Sequence, residues 1–195
     1  MVFSILVFLY IFLPLCLAAY FITKNIRVRN VVLLVFSLVF YAWGEPKYIF
    51  LMILTTAVDF FAGLFIEKYR GTRKSRLFLT LAVVLTLSSL GLFKYFDFFA
   101  SNANSFFHIS VPLLGLSLPI GISFYTFQAL TYVVDVYCGK VQVQTQFYKM
   151  LLYVSMFPQL IAGPIVRYSD VCKQIDERTC SVQKAARGKI GRAHV

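Results

Sequence analysis

The residues of this chain that could do chemistry lie beside breaks in long apolar stretches. Gln159 and Arg167 flank the dipeptide Gly163-Pro164, in sequence that is otherwise apolar. An amide and a guanidinium can hold a carbonyl, a carboxylate or a phosphate by hydrogen bonds. Irregular backbone and polar groups are tolerated inside a membrane only where protein or a water-filled cavity surrounds them. We therefore predict that Gln159 and Arg167 line a substrate site or channel, although an arginine at a helix end can also simply reach the headgroups.

A second polar set follows another glycine-proline break, and it consists of Ser123, Tyr125, Thr126 and Gln128. On a helix Tyr125 and Gln128 lie three residues apart on one face, as do Ser123 and Thr126. These side chains could line a polar channel, or they could form hydrogen bonds between packed helices. The sequence favours neither interpretation over the other.

The titratable residues point to structural roles. Asp59 lies within an apolar helix and could bind a proton or an ion, but an isolated charge there is costly, so we expect a bond to a neighbouring helix. Asp135 is expected to pair with Lys140. His108 could act as a general base because its pKa lies near neutrality, yet the surrounding sequence favours a solvated loop residue. Four cysteines without a CxxC pair, and two histidines, predict no metal site.

The composition is that of a membrane protein. Hydrophobic residues make up 59% of the chain and charged residues 14%, against about 45–50% and ~25% in soluble domains. Much of the net charge of +11 lies in two short loops and the final segment. Basic loops of this kind face anionic lipid headgroups, whereas a nucleic-acid surface needs a continuous basic face. We expect membrane lipid as a partner and no nucleic acid.

The apolar runs predict an all-α, polytopic bundle of transmembrane helices that includes re-entrant or broken helices. The first run is too long for a signal peptide and is expected to be retained. A polar loop is predicted over residues 101–110, and a kinked or re-entrant entry precedes the fifth helix. The segments are residues 3–22, 26–43, 48–66, 77–93, 120–137 and a short segment over 148–162 that dips in and turns at Gly163-Pro164.

Charge predicts the orientation. The basic loops at 24–29 and 67–76 are separated by two helices, so they lie on the same side of the membrane. Because cytoplasmic loops carry an excess of Lys and Arg, that side is predicted to be cytoplasmic and the N-terminus to be outside.

Four motifs in this order carry a resemblance to a known family. The chain resembles the N-terminal part of the membrane-bound O-acyltransferase (MBOAT) family, and most closely its bacterial alginate O-acetylation branch. The resemblance covers residues 1–188, whereas residues 189–195 look like a non-native or truncated tail. The motifs are YAWGEP (41–46), FKYFDFF (93–99), LPIGISFYTFQ (118–128) and FPQLIAGPIVRY (157–168).

The resemblance implies an enzyme of the bacterial cytoplasmic (inner) membrane. It implies transfer of an acyl group, such as acetyl from acetyl-CoA or another cytosolic donor, to an extracytoplasmic polysaccharide such as alginate. A periplasmic partner protein is implied, and no bound cofactor. The family's catalytic histidine lies beyond this chain and matches neither His108 nor His194, so we assign no catalytic residue and expect no activity from these residues alone. A small transporter or channel subunit that uses Asp59, or a non-catalytic membrane subunit, remains the alternative.

Overall fold

Apolar runs separated by glycine, proline and short basic segments fold into a layered set of helices. The computed structural model describes residues 6–107, 112–113, 115, 118–160 and 166–178, and these contain no strand. Three helices, α2, α3 and α4, are long and apolar enough to cross a membrane. The predicted all-α membrane helix bundle is thereby confirmed. The elements are a π-helical turn (Phe8–Phe12), α1 (Leu13–Ile22), α2 (Ile26–Gly44), α3 (Ile49–Lys68), α4 (Arg73–Phe107), α5 (Ile122–Tyr137), α6 (Phe147–Ser155), α7 (Phe157–Leu160) and α8 (Tyr168–Asp176).

Local sequence signals set the helix ends. The Asn25 side chain accepts a hydrogen bond of 2.9 Å from the backbone N–H of Arg27 and so begins α2. Pro46 follows directly after the last turn of α2, where it cannot continue the helix. Gly121 precedes α5 with a φ of +75°, which favours glycine. The predicted starts of α2 and α5, at residues 26 and 120, therefore agree with the observed starts to within two residues.

Helix α4 is longer than predicted, and the loop expected over residues 101–110 is wrong for its first seven residues. The helix runs through this polar stretch to Phe107. Within it, Ser105 Oγ donates to the carbonyl of Ser101 in the preceding turn at 3.0 Å. No proline interrupts the sequence before Pro112, so polarity alone does not end the helix.

The sixth apolar segment contains a break between α6 and α7 that the sequence analysis did not predict. Helix α6 ends at Ser155, and Met156 adopts a ψ of 112°, which leaves the helical region before α7 starts. Pro158 then occupies the first turn of α7, where its missing N–H costs nothing. The predicted turn at 163–164 lies outside the described residues, as does the predicted domain boundary at residue 188.

Helix α3 lies at the centre, packed against both α4 and α5. Gly63 allows close approach, since a Cβ there would lie 2.9 Å from the Tyr132 hydroxyl of α5. Small residues at helix crossings let transmembrane backbones come together in this way. The largest fully buried side chains include Tyr125, Tyr132 and Tyr153, so the bundle interior is rich in hydroxyl groups.

One end of the bundle is strongly basic, and we call it the basic end. It comprises residues 24–29 before and at the start of α2, residues 67–76 around the α3–α4 turn, residues 135–149 from the end of α5 to the start of α6, and residues 167–178 around α8. Among the described residues it holds thirteen Lys and Arg against five Asp and Glu, whereas the opposite end holds two of each. Cross-contacts such as the Arg70 Nη2 bond to the Val136 carbonyl (3.0 Å) join its parts. Both loops predicted to share a side lie here, although residues 26–29 are the first turn of α2.

Candidate functional site

Two of the predicted site residues meet inside the bundle. Gln128, the seventh residue of α5, is buried, and its Nε2 donates to the Gln159 Oε1 of α7 at 3.2 Å. The same nitrogen donates to the backbone carbonyl of Tyr153 on α6 at 2.8 Å. Gln128 therefore links α5, α6 and α7. The structure brings together residues that lie 31 positions apart in sequence.

The position of Gln159 is set by aromatic packing. Phe157, two residues earlier in α7, is surrounded by the rings of Phe8, Phe12 and Phe40, with centroid separations of 5.6–6.0 Å. These rings come from the first helix and from α2. Because edge-to-face contacts fix ring orientation, the cluster holds a helix of only four residues in place. Helix α7 thus presents Gln159 to Gln128 despite its short length.

Five buried hydroxyls lie on α5, which carries Gln128, and on α2 and α6, which contact α7. Each lacks a hydrogen-bond partner of good geometry among the described residues. The hydroxyls of Tyr41 and Tyr125 lie close enough to influence each other. Such groups are donors and acceptors in an apolar setting, where a hydrogen bond to a polar ligand is strong. The hydroxyls belong to Ser37 and Tyr41 on α2, Tyr125 and Thr126 on α5, and Ser155 at the end of α6.

The remaining predicted residues lie at the margins. Ser123 is half-buried in the first turn of α5. Arg167 is exposed and is the residue before α8, where its carbonyl accepts from the Asp170 N–H at 3.1 Å. We call Gln128, Gln159 and the five hydroxyls the polar core. Contact between these side chains and a substrate remains a prediction.

Tyrosines that the sequence reasoning did not single out organise the route from the polar core to the basic end. Tyr153 donates from its hydroxyl to the Val166 carbonyl at 2.8 Å. The Tyr132 hydroxyl accepts from the Gln144 N–H at 3.0 Å, and the Gln144 side chain donates to the Tyr168 hydroxyl at 2.8 Å. A buried tyrosine needs a partner for its hydroxyl, which was the signal available in the sequence. These bonds fix the segment after α5 and the start of α8.

The two buried carboxylates, Asp59 and Asp135, have structural partners, as expected. Thr86 Oγ1 of α4 lies 3.1 and 3.3 Å from the two carboxylate oxygens of Asp59, which is fully buried. Lys140 Nζ lies 3.9 Å from the carboxylate of Asp135. Asp59 therefore joins α3 to α4. Within the described residues no three His, Cys, Asp or Glu side chains gather as a metal site would require, and both histidines lie outside those residues.

A polar cavity of about 770 Å³ opens at the basic end, between the segment after α5 and helix α8. Tyr168 stands at its inner wall, where burial raises the pKa of its hydroxyl to about 12, partly offset by the bond from Gln144. Lys149 on its rim pairs with Asp176 at 2.5 Å. The cavity is large enough for a soluble molecule and lies on the same side as the basic segments.

Comparison with known proteins relates the chain to O-acetyltransferases. It is 40% identical over 193 residues to a probable alginate O-acetylase AlgI of Pseudomonas aeruginosa, covering 96% of this chain and 37% of that protein. It is 39% identical over 193 residues to the AlgI protein of Azotobacter vinelandii, covering 96% and 38%. A peptidoglycan O-acetyltransferase of Helicobacter pylori is 32% identical over 206 residues, covering 91% and 39%.

These relationships confirm the resemblance to the alginate O-acetylation branch of the MBOAT family. The chain spans less than two fifths of the length of the AlgI relatives named here. No family model matches the chain, and no solved structure matches it.

Proposed function

We propose that this chain, a homologue of glycan O-acetyltransferases, is the part of a membrane O-acyltransferase that lines the passage between acyl donor and acceptor. The observation that carries the proposal is the 32–40% identity to such enzymes over at least nine tenths of the chain. The polar core, which lies inside a bundle of apolar helices, supports it. Buried polar groups at membrane depth mark pathways and sites more often than they mark simple anchors.

The reaction proposed for the complete enzyme is transfer of an acyl group, acetyl in the first instance, to a glycan hydroxyl. The donor is an acyl thioester such as acetyl-CoA. The acyl carbon forms a bond to the hydroxyl oxygen, its bond to sulfur breaks, and the hydroxyl proton leaves with the thiol. In this chain the amides and hydroxyls of the polar core bind and orient the reacting groups. The general base is expected from a histidine of the longer protein.

The sidedness proposed for this reaction follows from charge. With thirteen cationic side chains at the basic end, the positive-inside tendency puts that end in the cytoplasm of a bacterial inner membrane. The cavity beside Tyr168 then opens to the cytosol, where the donor is made. The acceptor, a cell-envelope polysaccharide such as alginate, and a periplasmic partner would approach the opposite end.

The test replaces the glutamines of the polar core within the complete gene product. Gln128→Leu and Gln159→Leu keep the side-chain size but remove the amide, and we expect each to lower O-acetylation of the glycan by about tenfold through lost positioning. Gln174→Leu is the matched control, because Gln174 is exposed on α8 and lies outside the polar core. Acetyl content of the isolated polysaccharide is measured against membrane-inserted protein.

The two glutamine variants distinguish a site from a structural tie. Normal acetylation by both variants at normal protein levels would contradict the proposed role of the polar core. If the variants reach the membrane in smaller amounts but have normal activity per molecule, Gln128 and Gln159 contribute only to helix packing. If deletion of the complete gene leaves the acetyl content of the glycan unchanged, the acyltransferase assignment itself is refuted.

A further inference from the structure

Two arginines from distant parts of the chain share one tyrosine ring at the basic end. The guanidinium carbon of Arg29 lies 5.1 Å from the ring centroid of Tyr20, and that of Arg178 lies 5.5 Å from the same centroid. The two guanidinium groups are therefore within about 11 Å of each other. Tyr20 itself is buried. A segment beyond α8 and the first turn of α2 thus meet over the end of α1.

Hydrogen bonds to neutral acceptors fix both guanidinium groups. Arg29 Nε donates to the Thr23 carbonyl at 2.7 Å. Arg178 Nη2 donates to the side-chain oxygen of Asn30, whose own amide donates to the Ile175 carbonyl at 2.9 Å. Asn30 is buried, so this anchor is inside the protein. The two cations are therefore positioned by the fold and do not merely extend into solvent.

Neither arginine has a carboxylate partner among the described residues. Both are half-buried, and the Nε of Arg178 is fully buried without a hydrogen-bond partner in that part of the chain. Lys24 and Arg27 are exposed close by in sequence and add further positive charge. Two partly desolvated like charges within about 11 Å of each other would be stabilised by an anion that contacts both. Helix α2 also begins here and directs its positive dipole end to the same place.

The arginine pair is surrounded by exposed apolar side chains. Phe21 and Ile22 at the end of α1 are 59% and 80% exposed, and Val28 in the first turn of α2 is 45% exposed. A helix end of this kind lies at the boundary between acyl chains and headgroups. The anion found at that depth is the phosphate of a phospholipid, and arginine binds phosphate oxygens in a bidentate manner.

We propose that Arg29 and Arg178 form a binding site for the headgroup phosphate of an anionic phospholipid, with the acyl chains lying along α1 and α2. The site joins the segment that follows α8 to the first two helices. Lipid binding would therefore stabilise the docking of α8 at the basic end. Lipid binding at this site would not depend on acyl transfer.

The experiment measures lipid binding to the purified full-length protein by native mass spectrometry. Phosphatidylglycerol is compared with phosphatidylcholine of the same acyl chains. We expect preferential retention of phosphatidylglycerol, and we expect Arg29→Gln and Arg178→Gln each to weaken it by about fivefold. Lys74→Gln is the matched control, because Lys74 also lies over a tyrosine ring at the basic end (5.3 Å from Tyr69) but is exposed.

Charge-preserving variants and a soluble competitor separate the possible results. Arg29→Lys and Arg178→Lys should retain part of the binding, because the charge remains and the bidentate geometry is lost. Equal weakening by Lys74→Gln, or unchanged retention by both glutamine variants with native circular dichroism, would overturn the proposal. Binding of the soluble competitor pyrophosphate is measured in the same way. If the wild type binds pyrophosphate and the glutamine variants do not, while phosphatidylglycerol binding is unchanged, the site serves a soluble phosphate and the proposal is overturned.

Discussion

Gly63→Ala tests whether close packing between α3 and α5 sets the stability of the bundle. The added Cβ would lie 2.9 Å from the Tyr132 hydroxyl oxygen and 3.0 Å from its Cε1 atom. Tyr132 is fully buried, so its ring cannot move aside freely. Any shift of the ring also strains the bond between its hydroxyl and the Gln144 N–H, now 3.0 Å long. The substitution therefore perturbs the link between the central helices and the basic end.

The expected loss of stability comes from three contributions. Overpacking a filled interior costs about 1–3 kcal/mol. Weakening one buried hydrogen bond costs about 1 kcal/mol. Replacing glycine by alanine within a helix returns at most about 1 kcal/mol. We therefore expect Gly63→Ala to lower the free energy of unfolding by about 1–3 kcal/mol, which corresponds to about 2–4 °C in Tm per kcal/mol.

The assay is thermal unfolding of the purified protein in detergent, followed by size-exclusion chromatography with fluorescence detection. Gly91→Ala in α4 is the control, because a Cβ there meets nothing within 4 Å; it should be neutral or slightly stabilising. Adding Tyr132→Phe to Gly63→Ala removes the 2.9 Å contact and should recover part of the loss. A Gly63→Ala protein as stable as the Gly91→Ala protein would refute the reasoning.

Three further outcomes follow from buried polar contacts. Thr86→Val should lower stability by about 1–3 kcal/mol in the same assay, because the buried Asp59 carboxyl loses its donor at 3.1 Å; Thr86→Ser should restore it, and an unchanged Tm for the valine variant would contradict this. Burial raises the pKa of Tyr168 to about 12, against about 10 when unfolded, so the stability that it supplies is present below pH ~10 and is lost as pH rises towards 12. Tyr168→Phe should remove that component from denaturation measured against pH, and identical pH profiles for variant and wild type would argue against it. Asn30→Leu should speed proteolysis of α8, because the bonds to the α8 carbonyl and to Arg178 are lost, and an unaltered cleavage rate would show that other contacts hold α8.

The apolar runs and their boundary residues predict most of the helices. Asn25, Pro46 and Gly121 act through local backbone chemistry, so their effects are visible in sequence. The sequence predicts too short an α4, because a polar stretch without proline does not end a helix. The Ser105 hydroxyl is satisfied within the helix by the Ser101 carbonyl. No glycine lies at the break at Met156, so this signal for the end of a helix is absent there.

The polar core was predicted only in part, because pairing between distant segments leaves no local signal. Gln128 and Gln159 were each identified from the breaks that precede or follow them, but not their contact. Arg167 was expected beside them and lies exposed at the start of α8. The position of α7 depends on aromatic rings from three segments, which no single segment specifies. The structural role of Asp59 is easier to predict from sequence, because an isolated charge inside the membrane is costly and therefore requires a partner.

The length of α4 allows the orientation of the bundle in the membrane to be determined by chemical labelling. Thirty-five residues extend about 52 Å at 1.5 Å per residue, whereas a bilayer with its headgroups is about 40–45 Å thick. Because Arg73 and Arg76 begin this helix at the basic end, the surplus length projects from the opposite face. A cysteine placed at exposed Ser105 would therefore react with a membrane-impermeant maleimide from one side only. Labelling in intact cells and in inverted vesicles would then show which compartment each end of the bundle meets.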